Sequence, residues 1–120
     1  MTLTKSKEDY LEAILILEQK YKKVLSVEIA KFLGVSKPGV NKAMNILKEN
    51  GLIEKSSYSE IKLTPKGRIL ANEIYNKHQT IKKFLLALGV SEENAEKECC
   101  LIEHIISEET YSKIKEFLEK

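Results

Sequence analysis

The chain has 120 residues, 42% hydrophobic and 32% charged, with 5 Gly, 2 Pro and no Trp. That is one domain, or a small domain with a helical appendage; it leaves no room for a large α/β enzyme and is too apolar for a disordered chain. The net charge of +2 hides an asymmetry, because residues 36–83 carry ten Lys/Arg against four Asp/Glu and residues 84–120 carry four against nine, so the middle segment is expected to meet a polyanion and the carboxyl-terminal part to do something else. No apolar run nears the roughly 20 residues of a membrane span, and the amino terminus lacks a signal-peptide core, so a cytoplasmic protein without membrane contact is expected. Cys99 and Cys100 are neighbours and cannot staple distant segments.

In chain order, a first helix is expected from about Lys5 to Tyr21, N-capped by Ser6 with Asp9 three residues on, and striped by Tyr10, Leu11, Ile14, Leu15 and Leu17. Ser26 caps a short helix, Val27 to Leu33, which Gly34 stops. Ser36 then caps a helix with Pro38 in its first turn that runs to about Asn50, with Gly51 as its C-cap. The spacing of Ala30, Gly34 and Val40 is that of a helix-turn-helix. Residues 52–55 and 60–63 alternate around Ser56-Ser57-Tyr58-Ser59 and predict a hairpin. The expected fold is therefore mainly α, an amino-terminal winged helix-turn-helix with a small β-hairpin wing.

From Thr64-Pro65 a long helix carries the stripe Leu70, Ile74, His78, Ile81, Leu85 and Leu88 until Gly89. Ser91-Glu92-Glu93 opens another helix to about Ile106, and Ser107-Glu108-Glu109 opens a last one bearing Tyr111, Ile114, Phe117 and Leu118. The division expected is a winged-helix domain over 1–64 and a helical domain over 65–120. The apolar stripes of the later helices exceed what a small domain can bury, which points to a homodimer.

Reading bases in the major groove needs a helix whose first turns present short polar or cationic side chains. Ser36, Lys37, Pro38, Gly39, Asn41 and Lys42 form such a start, and Lys48, Lys55 and Lys62 add phosphate contacts from the helix end and the wing. Surface lysines alone are also compatible with a merely solvated face; the Gly34 turn and the wing behind it favour double-stranded DNA.

Both histidines fall near other potential ligands. Cys100, Glu103 and His104 have spacing i, i+3, i+4, which puts thiolate, carboxylate and imidazole on one helical face. His78 interrupts the apolar stripe of the long helix and faces inward, and Asp9 and Glu12, at i and i+3 on the first helix, are candidates to complete the coordination. The alternatives stay open: a core histidine, first-turn acids, an exposed polar pair at Glu103-His104, and Cys99 as a small buried hydrophobe.

The runs Ser6-Lys7-Glu8-Asp9-Tyr10-Leu11-Glu12, Val35-Ser36-Lys37-Pro38-Gly39-Val40 and Leu63-Thr64-Pro65-Lys66-Gly67, with His78 and Cys100-Leu101-Ile102-Glu103-His104, together resemble the diphtheria toxin repressor family of metal-activated transcriptional repressors. The resemblance covers essentially the whole chain. It implies a winged helix joined to a helical dimerisation domain, of the short two-domain type found in the manganese-regulator branch, without the SH3-like third domain of the larger iron regulators. Carried over position by position, it gives a hybrid. Asp9, Glu12, His78, Glu103 and His104 fit the manganese branch, whereas Cys100 stands where that branch has a glutamate. Cys100 fits the iron branch, whereas Asp9 stands where a methionine is usual there. The iron branch's ancillary site keeps His78 but meets Lys82 and Glu96 in place of an acid and an imidazole. The oxygen donors suit Mn²⁺ or Fe²⁺, and the thiolate draws toward Fe²⁺, Co²⁺ and Zn²⁺, with Ni²⁺ another ion accepted in vitro.

The resemblance implies a repressor that binds palindromic operator DNA as a homodimer when Fe(II) or Mn(II) is bound, regulating metal-ion uptake. An ion gripping the first helix and the later helices would set the spacing of two recognition helices to half-sites about 34–36 Å apart. Two other readings are a winged-helix regulator gated by a small molecule, and a small metal enzyme or buffer, for which no second set of polar residues builds a substrate cleft.

Overall fold

The computed structural model describes residues 4–56 and 60–120. Its elements are α1 (Lys5–Glu18), β1 (Val24–Leu25), α2 (Ser26–Leu33), α3 (Lys37–Glu49), β2 (Ile53–Lys55), β3 (Glu60–Leu63), α4 (Pro65–Ala87), α5 (Glu92–Ile102) and α6 (Glu108–Glu119). They fall into two compact units, Met1–Asn72 and Glu73–Lys120, with the division inside α4.

In the first unit, α1 packs on α2 and α3, and α2 on α3 in turn. The apolar stripe read from α1 is buried: Leu11 and Ile14 are fully enclosed, as are Ile29 of α2 and Val40, Met44 and Leu47 of α3. Each of these side chains contributes about 1.5–3 kcal/mol on leaving water. The turn between α2 and α3 is set by Gly34, whose φ of 67° is a left-handed conformation that a β-carbon would strain. Ser36 caps α3 by accepting the backbone N–H of Gly39 at 3.1 Å.

Three local expectations shift. The cap of α1 is Thr4 rather than Ser6, since the Thr4 side chain accepts the Lys7 N–H, and α1 ends at Glu18 rather than near Tyr21. Ser26 lies inside α2 and is buried; the free N–H at that helix start, on Leu25, is taken by the Glu28 carboxylate at 2.9 Å. The hairpin of β2 and β3 forms as expected, with Ile53 opposite Leu63 and Lys55 opposite Ile61, but β3 is its central strand. The short β1 pairs with the other edge of β3, Val24 opposite Ile61. The turn residues Ser57, Tyr58 and Ser59 lie outside the described residues.

The wing is locked to the start of α4. Thr64 donates its hydroxyl proton to the Gly51 carbonyl at 2.7 Å and accepts the Gly67 N–H at 3.0 Å. Gly67 sits so close to the strand that a β-carbon there would stand 1.9 Å from the Leu52 carbonyl oxygen. Arg68 makes two hydrogen bonds to the carboxylate of Glu18, at 2.9 and 3.1 Å. This exposed pair is worth no more than about 1 kcal/mol.

The second unit comprises the rest of α4, α5 and α6. Ile74, Ile81, Ala95 and Cys99 are buried, and Phe84 meets Phe117 edge to face with ring centroids 5.8 Å apart. Ser91 and Ser107 cap α5 and α6 by accepting the N–H groups of Asn94 and Thr110. α5 ends at Ile102 rather than near Ile106, so the Glu103-His104 pair lies at and just past the helix end. Much apolar surface is left open: Leu88, Leu101, Ile105 and Phe117 are each more than half exposed, Ile105 at 80%. Phe84, Leu88, Ile114 and Phe117 line an apolar groove of about 530 Å³.

The contact at Gly67 yields a test of the first unit. Gly67→Ala forces the strand and α4 apart and lowers stability by about 1–3 kcal/mol, seen as a lower denaturation midpoint; an unchanged midpoint would contradict the close approach.

Candidate metal centre and nucleic-acid face

α3 buries Val40, Ala43, Met44 and Leu47 on one side, which turns the opposite side outward. Ser36, Lys37, Pro38 and Lys42 are exposed there, with Gly39 and Asn41 half-buried. The small residue at 39 keeps the first turn low, since a β-carbon would meet the Ser36 hydroxyl at 3.0 Å. Lys48 at the end of α3 and Lys62 on β3 are also exposed, and Lys55 on β2 is half-buried. All belong to the first unit.

The metal candidates divide between the units. In the first, Asp9 and Glu12 lie on α1. Asp9 is bridged by Lys5 at 2.9 Å, whereas Glu12 is 9% exposed on a helix whose neighbouring residues are core. A carboxylate so enclosed is costly without positive charge or hydrogen bonds around it.

In the second unit Cys99, Cys100 and Glu103 gather around the imidazole of His78, and His104 stands beside Glu103. His78 enters from the middle of α4, in the register of Ile74 and Ile81. Its Nδ1 lies 3.1 Å from Glu103 Oε2 and 3.7 Å from Cys100 Sγ. Glu103, only 2% exposed at its side chain, also faces His104, whose Nε2 is 3.3 Å from Oε1; that oxygen is buried and makes no hydrogen bond. α5 delivers Cys100, while Glu103 is its C-cap, still bonded through its N–H to the Cys99 carbonyl.

The expectation of one uninterrupted helical face for Cys100, Glu103 and His104 therefore changes in its detail. The first is helical, the second caps the helix, and His104 follows in the turn.

Donors bound to a common transition ion at about 2.0–2.3 Å are separated from each other by about 2.8–3.8 Å. The spacings around His78 Nδ1 match that, and the buried, unbonded Glu103 oxygen is the kind of atom a cation satisfies. Imidazole, carboxylate and thiol, with a second imidazole beside them, are a fitting donor set for a divalent ion of the first transition row.

Two further features escape a residue-by-residue reading. Cys99, fully buried, sets its sulfur 3.5 and 3.7 Å from the two His78 nitrogens. Burial first, and then the nearby Cys100, Glu96 and Glu103, push its thiol up to about 12, and it donates to the Glu96 carbonyl. On the far side of the ring Glu96 Oε1 lies 3.2 Å from His78 Nε2, and Lys82 bridges Glu96 and Glu92 at 2.8 and 2.7 Å. Hydrogen bonding to Lys82 is the main reason Glu96 is held below the ordinary carboxylate value, and the same two acids raise Lys82. The spacing Glu92, Glu96, Cys100, Glu103 marks this stripe in the sequence.

Residues 2–61 match the N-terminal DNA binding domain of the iron dependent repressors, and residues 64–120 match the metal binding and dimerisation domain of the same family. The chain belongs to the iron-dependent repressor family. It is similar to an uncharacterised HTH-type transcriptional regulator of Methanocaldococcus jannaschii, 37% identical over 120 residues covering 98% of this chain and 96% of that one. It is also similar to the transcriptional regulator MntR of Escherichia coli, 39% identical over 113 residues, covering 94% of this chain and 73% of MntR. Among solved structures, that of the manganese regulator SloR superimposes with a TM-score of 0.83 at 32% identity, covering 99% of this chain and 55% of SloR. The chain spans about half the length of SloR and of the solved regulators MtsR and IdeR. The family resemblance and the winged-helix, mainly α fold expected from the sequence both hold. Within the part matching the iron-dependent repressors' metal binding and dimerisation domain stand His78, Cys100, Glu103 and His104.

Proposed function

We propose that this protein is a metal-dependent transcriptional repressor of metal-ion homeostasis and not an enzyme, binding palindromic operator DNA as a homodimer when Fe(II) or Mn(II) is held by His78, Cys100, Glu103 and His104 together with Asp9 and Glu12. The observation that carries the reading is the convergence of Glu103 and Cys100 on His78 Nδ1, in a chain that also carries a winged helix. The ion, when bound, supplies two positive charges for buried or half-buried acids.

The division of labour proposed is a DNA-binding part over 1–64 and a metal-binding and dimerisation part over 65–120. Asp9 and Glu12 come from a helix of the DNA-binding unit, so an ion that also draws on them ties the state of that unit to metal. A coupling of about 1–3 kcal/mol is typical for such linked equilibria. Ser36, Lys37, Pro38, Gly39, Asn41 and Lys42 are the groove-facing start of α3, and Lys48, Lys55 and Lys62 the phosphate contacts. The exposed Leu88, Leu101, Ile105 and Phe117 support self-association, because a monomer rarely leaves so much aliphatic and aromatic surface in water. The MntR and SloR relatives support Mn(II), and the thiol at Cys100 supports Fe(II) beside it.

An anisotropy titration of a palindromic operator tests this, with the protein in Mn²⁺, in Fe²⁺ without oxygen, or in chelator. Tight binding in the metals and weak binding in chelator are expected; equal affinity in all three contradicts metal control. His78→Ala and Glu103→Ala should fold but lose the metal response. Lys62→Ala should instead weaken binding to all sequences alike and reduce the salt slope by about one phosphate contact.

A further inference from the structure

The acid and base on the outer side of the His78 ring have no part in the ligand set proposed above. Glu96 and Lys82 form a chain that runs from the exposed Glu92 inward. Glu92 Oε1 meets Lys82 Nζ at 2.7 Å, Lys82 Nζ meets Glu96 Oε2 at 2.8 Å, and Glu96 Oε1 meets His78 Nε2 at 3.2 Å. The other nitrogen, Nδ1, is the one turned toward Glu103 Oε2 and Cys100 Sγ. Cys99 cannot exchange these roles. Its sulfur is almost equally far from both nitrogens, which places it beside the ring and not along one lone pair.

An imidazole that ligates a metal through one nitrogen keeps its proton on the other. The group accepting that proton fixes both the tautomer and the rotation of the ring. We propose that Glu96 is a positioning residue that holds the proton on His78 Nε2, so that Nδ1 takes the ion, and that Lys82 serves by anchoring Glu96 in that pose. The juxtaposition carries it: a carboxylate whose one oxygen faces Nε2 and whose other is held by an ammonium group has little freedom to turn away. Neither residue touches the ion. This rests on the reading of His78 as a ligand.

The test uses the whole chain, labelled with ¹⁵N and loaded with the diamagnetic ion Zn²⁺. The protein has only 2 His, so long-range ¹H–¹⁵N correlations of the two rings are assigned with a His104→Gln variant. In the wild type His78 should carry hydrogen on Nε2 and metal on Nδ1. In Glu96→Ala that pattern should be lost, with Nε2 ligation or a mixture replacing it, and Zn²⁺ affinity by chelator competition should fall about 10–100-fold. Glu96→Gln keeps an acceptor oxygen and should stay nearer the wild type, and Lys82→Met should fall between the two.

A wild type with hydrogen on Nδ1 and metal on Nε2, or an unchanged nitrogen pattern in Glu96→Ala whatever the affinity, overturns the proposal. If Zn²⁺ moves neither nitrogen of His78 in the wild type, the assignment of His78 as a ligand fails and takes this inference with it. If Nδ1 binds the ion and Glu96→Ala changes nothing, only the positioning role fails. Since Glu96 is half exposed, its replacement leaves the core of the unit intact; Lys82→Met gives a second reading of the same link from the solvent side.

Discussion

The burial of Glu103 is the constraint on which the second unit depends. A carboxylate with 2% of its side chain exposed has given up its hydration, and its surroundings must return that energy as hydrogen bonds or positive charge. The structure gives it two imidazoles and a thiol: His78 on one oxygen, His104 near the other, Cys100 beside His78. None of these carries a permanent charge. Such a group is satisfied in part by protons and more fully by a divalent cation. That makes the occupancy of the site a lever on the folded state around it.

The position of the site in the chain gives the lever something to move. His78 sits on α4, whose first turns belong to the same unit as the winged helix, fixed there by the Thr64 cap, the close packing of Gly67 on Leu52 and the Arg68–Glu18 pair. The amino-terminal end of this helix thus packs with the winged helix, while its later turns bear His78, a proposed ligand. The wing and α3 need no metal for their own packing, since Ile53, Ile61, Val40, Met44 and Leu47 already form a closed core. On the reading proposed, metal acts on a preformed reading head and not on its folding.

Most of the first unit was legible because its signals are local. Gly34, Ser36, Pro38 and Gly51 each dictate a backbone conformation within a few residues, and the structure follows them. The third strand was not legible: Val24 and Leu25 are two residues after a basic run, and only their distant partner, β3, makes them a strand. The end of α5 was hidden for another reason. Ile105 and Ile106 continue an apolar rhythm past Ile102 with no Gly or Pro to stop it, so periodicity overruns a boundary that the cap at Ser107 sets. For the candidate site, spacing found His78, Cys100, Glu103 and His104, but the outer carboxylate of Glu96 could be tied to His78 only once α4 and α5 were seen side by side. Cys99, read as a small buried hydrophobe, is buried as expected yet also borders the imidazole.

The central claim is that Cys100, His78 and Glu103 hold one divalent ion between them, and the thiol gives it a direct optical signature. Co²⁺ added to the reduced protein should produce a near-ultraviolet sulfur-to-cobalt charge-transfer band that saturates, survives in Cys99→Ser and disappears in Cys100→Ser. Absence of that band in the wild type, or its persistence in Cys100→Ser, would contradict the account.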